Sequence, residues 1–258
     1  MNALKIGATG MLAQQSNVDV LANNIANINT TAFKRQRVAF QDLLYMNETT
    51  PGATTSSTDT QAASGVQYGL GVNVGSVYRN FTQGAVTRTD APLDMSIQGR
   101  GFFNVTMPDG STAYTRDGAF QIDKNGNMVT GQGFALDPAI TLPADAVDLN
   151  IASDGTVSAK LGENIVELGQ ITTTMFINES GLEAIGDNLY KETAASGGAS
   201  SVVAGEDGSG GLLQKHLEGS NVDAIEGITD LITAQRAYEL NSKIITTADE
   251  MMSAANQI

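Results

Sequence analysis

The stretch ALKIGATGMLAQQSNVDVLANNIANI, residues 3–28, decides how the rest of the chain is read. Leu4, Met11, Val18 and Ile25 recur at every seventh residue, and Leu21 and Ile28 extend the stripe at the neighbouring heptad position. Asn17, Asp19, Asn23 and Asn24 occupy the other sides. The pattern predicts an amphipathic helix with one narrow apolar seam, about 40 Å long at the helical rise. Gly7 and Gly10 weaken it by about 1 kcal/mol each relative to alanine.

The far end of the chain repeats the arrangement. Leu231, Tyr238, Ile245 and Met252 are again seven apart, with Ile244, Met251 and Ile258 one position earlier in the heptad and Ala234, Ala248 and Ala255 three later. A helix is predicted over about 222–257. Asn221 is its expected N-cap, with Asp223 and Glu226 placed where the helix dipole favours negative charge. A seam this narrow suits packing against another long helix, and such helices are marginal alone in water. Two arrangements satisfy both seams: the helices pair with each other inside one monomer, or they pack between copies.

Between the ends the pattern changes to β. Asp109-Gly110, Asn125-Gly126 and Asp154-Gly155 are tight-hairpin dipeptides that tolerate positive φ. Phe102-Phe103-Asn104-Val105, Ala119-Phe120-Gln121-Ile122, Met128-Val129 and Thr156-Val157 flank them, and 170–177 is a further strand candidate. Two stretches read as linkers, 47–65, rich in Ser, Thr, Ala and Gln, and 192–211, rich in Gly, Ser and Ala. The expected fold class is α+β. Residues 1–30 and 216–258 form a discontinuous, coiled-coil-like helical domain, 31–65 an extended linker, and 66–215 an inserted antiparallel β domain containing the 192–211 loop.

Composition removes most enzyme chemistry. Of 258 residues, 14 are basic and 28 acidic, a net charge of −14, which argues against nucleic acid and anionic membrane as partners. There is no Cys, so thiolate catalysis, disulfides and Cys-ligated metals are excluded, and His216 is the single imidazole. No run approaches the roughly 18 apolar residues of a membrane span. The N-terminus lacks the apolar core of a signal peptide. The expectation is a cytoplasmic protein, or one that leaves the cell without a cleaved signal.

The motifs with a chemical look fail on spacing. Gly69-Leu70-Gly71 and Gly99-Arg100-Gly101 have Val74 and Asn104 where a dinucleotide fingerprint needs its third glycine, and neither opens a long helix. Asp123-Lys124-Asn125-Gly126-Asn127 begins like a calcium loop but has Met128 and Phe134 at the positions requiring Gly and Glu. Asp90, Asp94, Asp109, Asp117 and Asp123 leave a paired-carboxylate glycosidase as the one catalytic alternative, without a spacing that selects a pair. No catalytic, cofactor or metal residue is therefore assigned. The one basic cluster, Lys34, Arg35 and Arg37, is a candidate subunit contact, with a solvated strand edge as the alternative.

Particular runs at both ends carry a resemblance. Ala8-Thr9-Gly10-Met11, Gln14-Gln15, the run from Asp19 to Asn27, and Asn29-Thr30-Thr31-Ala32-Phe33-Lys34 closely resemble the N-terminal signature of bacterial flagellar rod and hook proteins. Ser220-Asn221-Val222-Asp223, Thr229-Asp230-Leu231-Ile232, Gln235-Arg236-Ala237-Tyr238-Glu239 and Asn241-Ser242-Lys243 resemble the matching C-terminal signature. Gly99-Arg100-Gly101-Phe102-Phe103 and Tyr114-Thr115-Arg116-Asp117-Gly118 resemble the β domain of that family. Length and the Ser/Thr-rich stretch after 40–45 resemble distal rod members, with proximal rod and hook-type members as alternatives. Ala32 stands where the family usually has Gly, and a turn requiring positive φ would strain it.

The resemblance implies a structural subunit that is exported unfolded and without a cleaved signal. It implies helical self-assembly with the terminal helices inside, and a shaft that transmits torque across the periplasm. Its implied partners are further copies, proximal rod subunits, the hook protein, surrounding outer ring proteins and the export apparatus. The ten seam residues named above become self-assembly contacts, and the segment from Met46 to Gly65 becomes ordered on assembly. A periplasmic carbohydrate-active enzyme remains the alternative of a different class.

Overall fold

A computed structural model describes residues 2–49, 64–143, 145–162 and 164–255. The chain divides into two compact units, one made of Met1–Ala26, Gln36–Arg79 and Asp223–Ile258, the other of Asn27–Arg35 and Asn80–Val222.

The first unit holds two long helices, α1 (Asn2–Ala26) and α2 (Ala224–Ala255). α2 begins two residues later than expected, three beyond Asn221, the side chain expected to cap it. Asp223 Oδ1 accepts from the amides of Ile225, at 2.8 Å, and Glu226, at 3.2 Å, and so fills the N-cap role. Asn221 is turned away to bond Arg35, Asn80 and Thr82.

An antiparallel ribbon accompanies the helices. Gln36–Asp42 pairs with Val72–Arg79 through a bulge between Ala39 and Phe40, and Tyr45–Thr49 pairs with Val66–Gly69. Residues 36–49 and 66–79, expected as linker and as the start of the β domain, therefore form strands that group with the helices. The expected ordering of Met46 to Gly65 falls, for 50–63, outside the described residues. The ribbon packs on α1: a side chain at Gly71, whose φ is +114°, would run into the Thr9 hydroxyl.

The second unit is built on a nine-stranded antiparallel sheet among the described residues. Its path runs Glu183–Gly186, Leu189–Lys191, Thr112–Thr115, Phe102–Thr106, Ala135–Asp137, Met128–Thr130, Phe120–Ile122. Thr172–Met175 joins the first residues of Phe102–Thr106 and carries Ser200–Val203 on its other side. The three hairpin dipeptides sit in turns, with Gly110, Gly126 and Gly155 at φ of +80°, +86° and +87°. A three-stranded meander, Ala146–Ile151, Thr156–Leu161 and Asn164–Gln170, is separate.

Two differences from the sequence expectation have clear causes. The 192–211 stretch is not all loop, because Ser200–Val203, which ends in two β-branched valines, finds a strand partner in Thr172–Met175. The candidate strand 170–177 is divided at Ile171, whose side chain is buried in the main core while Asn164–Gln170 belongs to the meander.

The core is aliphatic and sulfur-rich where aromatics are few. Met95, Ile97, Phe103, Met128, Leu136, Ile140, Val157 and Ile171 are essentially inaccessible and form the main cluster. A second cluster is aromatic. Phe102 meets Phe81, Phe176 and Tyr190 edge-on at 5.6, 5.7 and 5.9 Å, and Tyr114 meets Phe176 at 4.8 Å, the geometry that places positive ring edges over negative faces.

Candidate assembly surfaces

α1 and α2 approach each other most closely where side chains are small. A Cβ on Gly7 would stand 2.9 Å from Ile245 Cγ1, one on Gly10 2.8 Å from Asn241 Nδ2, and one on Gly227 3.3 Å from Ile25 Cγ1. Gly227, Ala234 and Ala248 are the buried residues of α2. Propensity marks Gly7 and Gly10 as weak points of the helix, and their contribution to close packing was not visible in the sequence. The seam residues lie beside this line. Leu4, Met11, Val18, Leu21 and Ile25, with Ile28 just past α1, are half-buried, as are Leu231, Ile245 and Met252 on α2, while Tyr238 is exposed.

Both helices also carry apolar side chains that no described residue covers. Ile6 and Leu12 of α1 are exposed, as are Ile225, Ile228, Ile232, Leu240, Ile244 and Met251 of α2, with Ile225 80% accessible. The ribbon is barer still. Leu44, 83% accessible, Tyr45, Met46, Val66 and Tyr68 are exposed, and every residue of Tyr45–Thr49 is open to solvent. The Tyr45 phenol is held above its ordinary pKa, first by its hydrogen bond to Asp42 and then by that carboxylate's charge. The part of the ribbon made by Tyr45–Thr49 and Val66–Gly69 is two strands with little cover from the described residues, which is marginal in water, and apolar patches of this extent mark interaction surfaces.

The basic cluster divides. Lys34 is fully buried, which corrects its reading as an outward contact: Nζ donates to Glu218 Oε1 at 2.6 Å and to the Thr82 carbonyl at 2.9 Å. Arg116 completes a triad, with Nη2 3.1 Å and Nε 3.2 Å from Glu218 Oε2, and further donation to the carbonyls of Gly101 and Gly99. Burial, and next the neighbouring Arg116 charge, push the Lys34 pKa below 10.5, against the raising pull of Glu218. Arg35 is half-buried and its amide is held by Asn221; Arg37, on the ribbon, is exposed. Sequence spacing gives no sign of Glu218 as the partner, because it lies 184 residues from Lys34.

Four of the five candidate aspartates, and Asp154, occupy structural positions. Asp109 and Asp154 cap turns through Ser111 and Thr156, whose hydrogen bonds hold both carboxyls below the usual range. Asp123 accepts from Asn125, Asp94 from Thr89, and Asp117 from Thr31 and the Ala119 amide. Burial raises the Asp117 pKa above 3.8. His216 Nδ1 lies 2.7 Å from the Gln214 carbonyl. Among the described residues no three His, Asp or Glu side chains gather as a metal site, and no helix is long and apolar enough to cross a membrane.

Long helices joined at glycines and alanines, uncovered apolar rows along them, and an exposed ribbon define a chain built to be covered by other chains. Comparison with known proteins gives that class its family. Residues 4–34 match the family described as flagella basal body rod protein, 96–159 the flagellar hook protein FlgE/F/G D1 domain, and 213–258 the flagellar basal body rod FlgEFG protein C-terminal family. The flagellar basal-body rod protein FlgG of Caulobacter vibrioides is 53% identical, aligned over 100% of this chain and 99% of its own length. FlgG of Agrobacterium fabrum is 48% identical over 100% and 99%. The rod protein FlgF of C. vibrioides is 34% identical over 98% of this chain and 96% of its own. The chain belongs to the flagellar basal-body rod protein family.

Proposed function

We propose that this chain is a non-catalytic structural subunit of the distal part of the bacterial flagellar rod, polymerising helically into a hollow shaft that carries torque to the hook. The observation that carries the reading is the uncovered apolar surface of the helices and the ribbon, which copies of the same chain would cover. Identity favours FlgG over FlgF, at 53% against 34% for the two proteins of the same organism. On this reading the terminal helices pair as a coiled-coil-like inner domain and the β unit is an insertion between them. Leu4, Met11, Val18, Leu21, Ile25, Ile28, Leu231, Tyr238, Ile245 and Met252 line contacts within and between subunits, and Arg35 and Arg37 are further candidate subunit contacts. Its partners are further copies, proximal rod subunits, the hook protein, the surrounding rings and the export apparatus, and it leaves the cytoplasm without a cleaved signal.

The test is electron microscopy of the full-length protein at rising concentration, alone and seeded with basal bodies, beside the double variant Ile228→Asp, Ile232→Asp. Both side chains are exposed, so the variant should keep its helical circular dichroism yet form no tubes. Equal polymerisation of the two proteins refutes the assignment of the contact face. An intact chain that stays monomeric even on seeds refutes the axial reading.

A further inference from the structure

The chain passes between its two compact units four times, at Ala26–Asn27, Arg35–Gln36, Arg79–Asn80 and Val222–Asp223. Two asparagines hold these passages to one another, each inside its own unit. Asn24, buried near the end of α1, grips the backbone of Gln36 with both ends of its amide. Nδ2 donates to the Gln36 carbonyl at 2.8 Å and Oδ1 accepts from the Gln36 amide at 2.8 Å. That joins the first passage to the second. Asn221 joins the second to the third and fourth. Its Oδ1 accepts from the Arg35 amide at 2.7 Å, and its Nδ2 donates to the carbonyls of Asn80, at 2.8 Å, and Thr82, at 3.0 Å. The Asn80 amide donates to Arg35 O at 2.9 Å, and the Asn221 amide to Phe33 O at 3.3 Å.

Each site needs a donor and an acceptor on one short side chain. Aspartate lacks the donor, alanine lacks both, and glutamine is a methylene longer. Asparagine is also a poor choice for the interior of α1 on helix propensity alone, so local structure does not account for Asn24. We propose that Asn24 and Asn221 stitch the four passages into one stem that opens cooperatively rather than strand by strand. The stem belongs to the single subunit and does not depend on polymerisation.

Two of the passages are themselves tryptic bonds, Arg35–Gln36 and Arg79–Asn80, which supplies the assay in the full-length protein. Asn221→Ala should speed cleavage of both by about tenfold or more, since cleavage follows the population of the open form, with near-ultraviolet circular dichroism of the β unit unchanged. The decisive variant is Asn24→Ala. It should also speed cleavage at Arg79–Asn80, a bond Asn24 does not touch. Acceleration only at the bond each asparagine contacts, or at neither, overturns the proposal. Native-state hydrogen exchange on the unaltered chain decides the matter even if a variant fails to fold. The amides of Arg35, Gln36 and Asn80 should exchange through one opening with a shared denaturant dependence, and separate openings overturn the single stem.

Discussion

Lys34 and Glu218 form one buried ion pair, yet removing one partner should cost far more than removing the other. Glu218 is the one carboxylate among the described residues that touches both cations: Oε1 takes Lys34 Nζ and the Gly84 amide, and Oε2 takes Arg116, while Glu179 acts on Lys34 only through its charge. Glu218→Gln leaves two uncompensated positive charges in a site where Lys34, Glu218 and Arg116 side chains are 0%, 1% and 4% accessible. The expected loss is about 3–5 kcal/mol. Lys34→Met removes one cation and leaves the neutral Glu218–Arg116 pair. The groups Lys34 abandons keep partners, since Asn221 Nδ2 still reaches Thr82 O at 3.0 Å and the Gly84 amide still reaches Glu218 Oε1 at 2.9 Å.

The charged hydrogen bond forfeited by Lys34→Met, worth about 1.5–3 kcal/mol, is offset by not having to desolvate an ammonium, so the net loss is under about 1 kcal/mol. The pH dependence has a definite sign. The folded Lys34 pKa lies below 10.5, so between the folded pKa and 10.5 the unfolded chain binds more protons and the native protein gains stability as pH rises. Lys34→Met abolishes that gain. Because two units need not unfold together, the measurement is native-state exchange of the Phe102–Thr106 amides in graded urea. Equal losses for the two variants would refute the account of a triad with one surplus cation.

Three further outcomes follow from single contacts. The raised Asp117 pKa means its stabilising effect is complete below 3.8 and is lost as pH rises through the folded pKa; Asp117→Asn should remove this dependence, so urea midpoints at pH 4 and pH 7 should differ less than in the native chain. The Ser96 hydroxyl is buried without a hydrogen-bond partner among the described residues, and Ser96→Ala should raise stability by about 1 kcal/mol, read from the shift of the urea midpoint. A Cβ at Gly118 would collide with the Met95 carbonyl oxygen; because backbone cannot yield as a side-chain tip does, Gly118→Ala should cost about 3 kcal/mol in thermal or urea melts of the β unit.

Local signals were legible where local physics decides. The heptad spacing locates both helices, and the Asp-Gly and Asn-Gly dipeptides locate three turns, because φ preference is written in the residues themselves. The missing Gly before Phe33 also points to a real feature: Ala32 is buried at φ +55°, a left-handed conformation that alanine disfavours. Signals set by distant partners were not legible. Asn221 and Asp223 are equally good caps by type, and only bonds to residues 35, 80 and 82 assign Asn221 elsewhere. Lys34 reads as a subunit contact or a solvated strand edge beside Arg35 and Arg37 until Glu218 arrives from the other end of the chain. For the assembly surfaces, the seams were visible, whereas the glycine contacts at 7, 10 and 227 depend on which helix faces which.

The distribution of tyrosines gives the molecule an optical partition. With no Trp and six Tyr, near-ultraviolet absorption and emission are phenolic. Tyr45, Tyr68, Tyr78 and Tyr238 are exposed and belong to the helical unit, whereas Tyr114 and Tyr190 are buried in the β unit. Burial lifts the Tyr114 pKa and the hydrogen bond to Asp42 lifts that of Tyr45, so each unit holds a phenol that resists ionisation for its own reason. Covering the helices and ribbon with neighbouring chains would take the four exposed phenols out of water and leave Tyr114 and Tyr190 as they are, so polymerisation would register in the near-ultraviolet signal of tyrosine without any label.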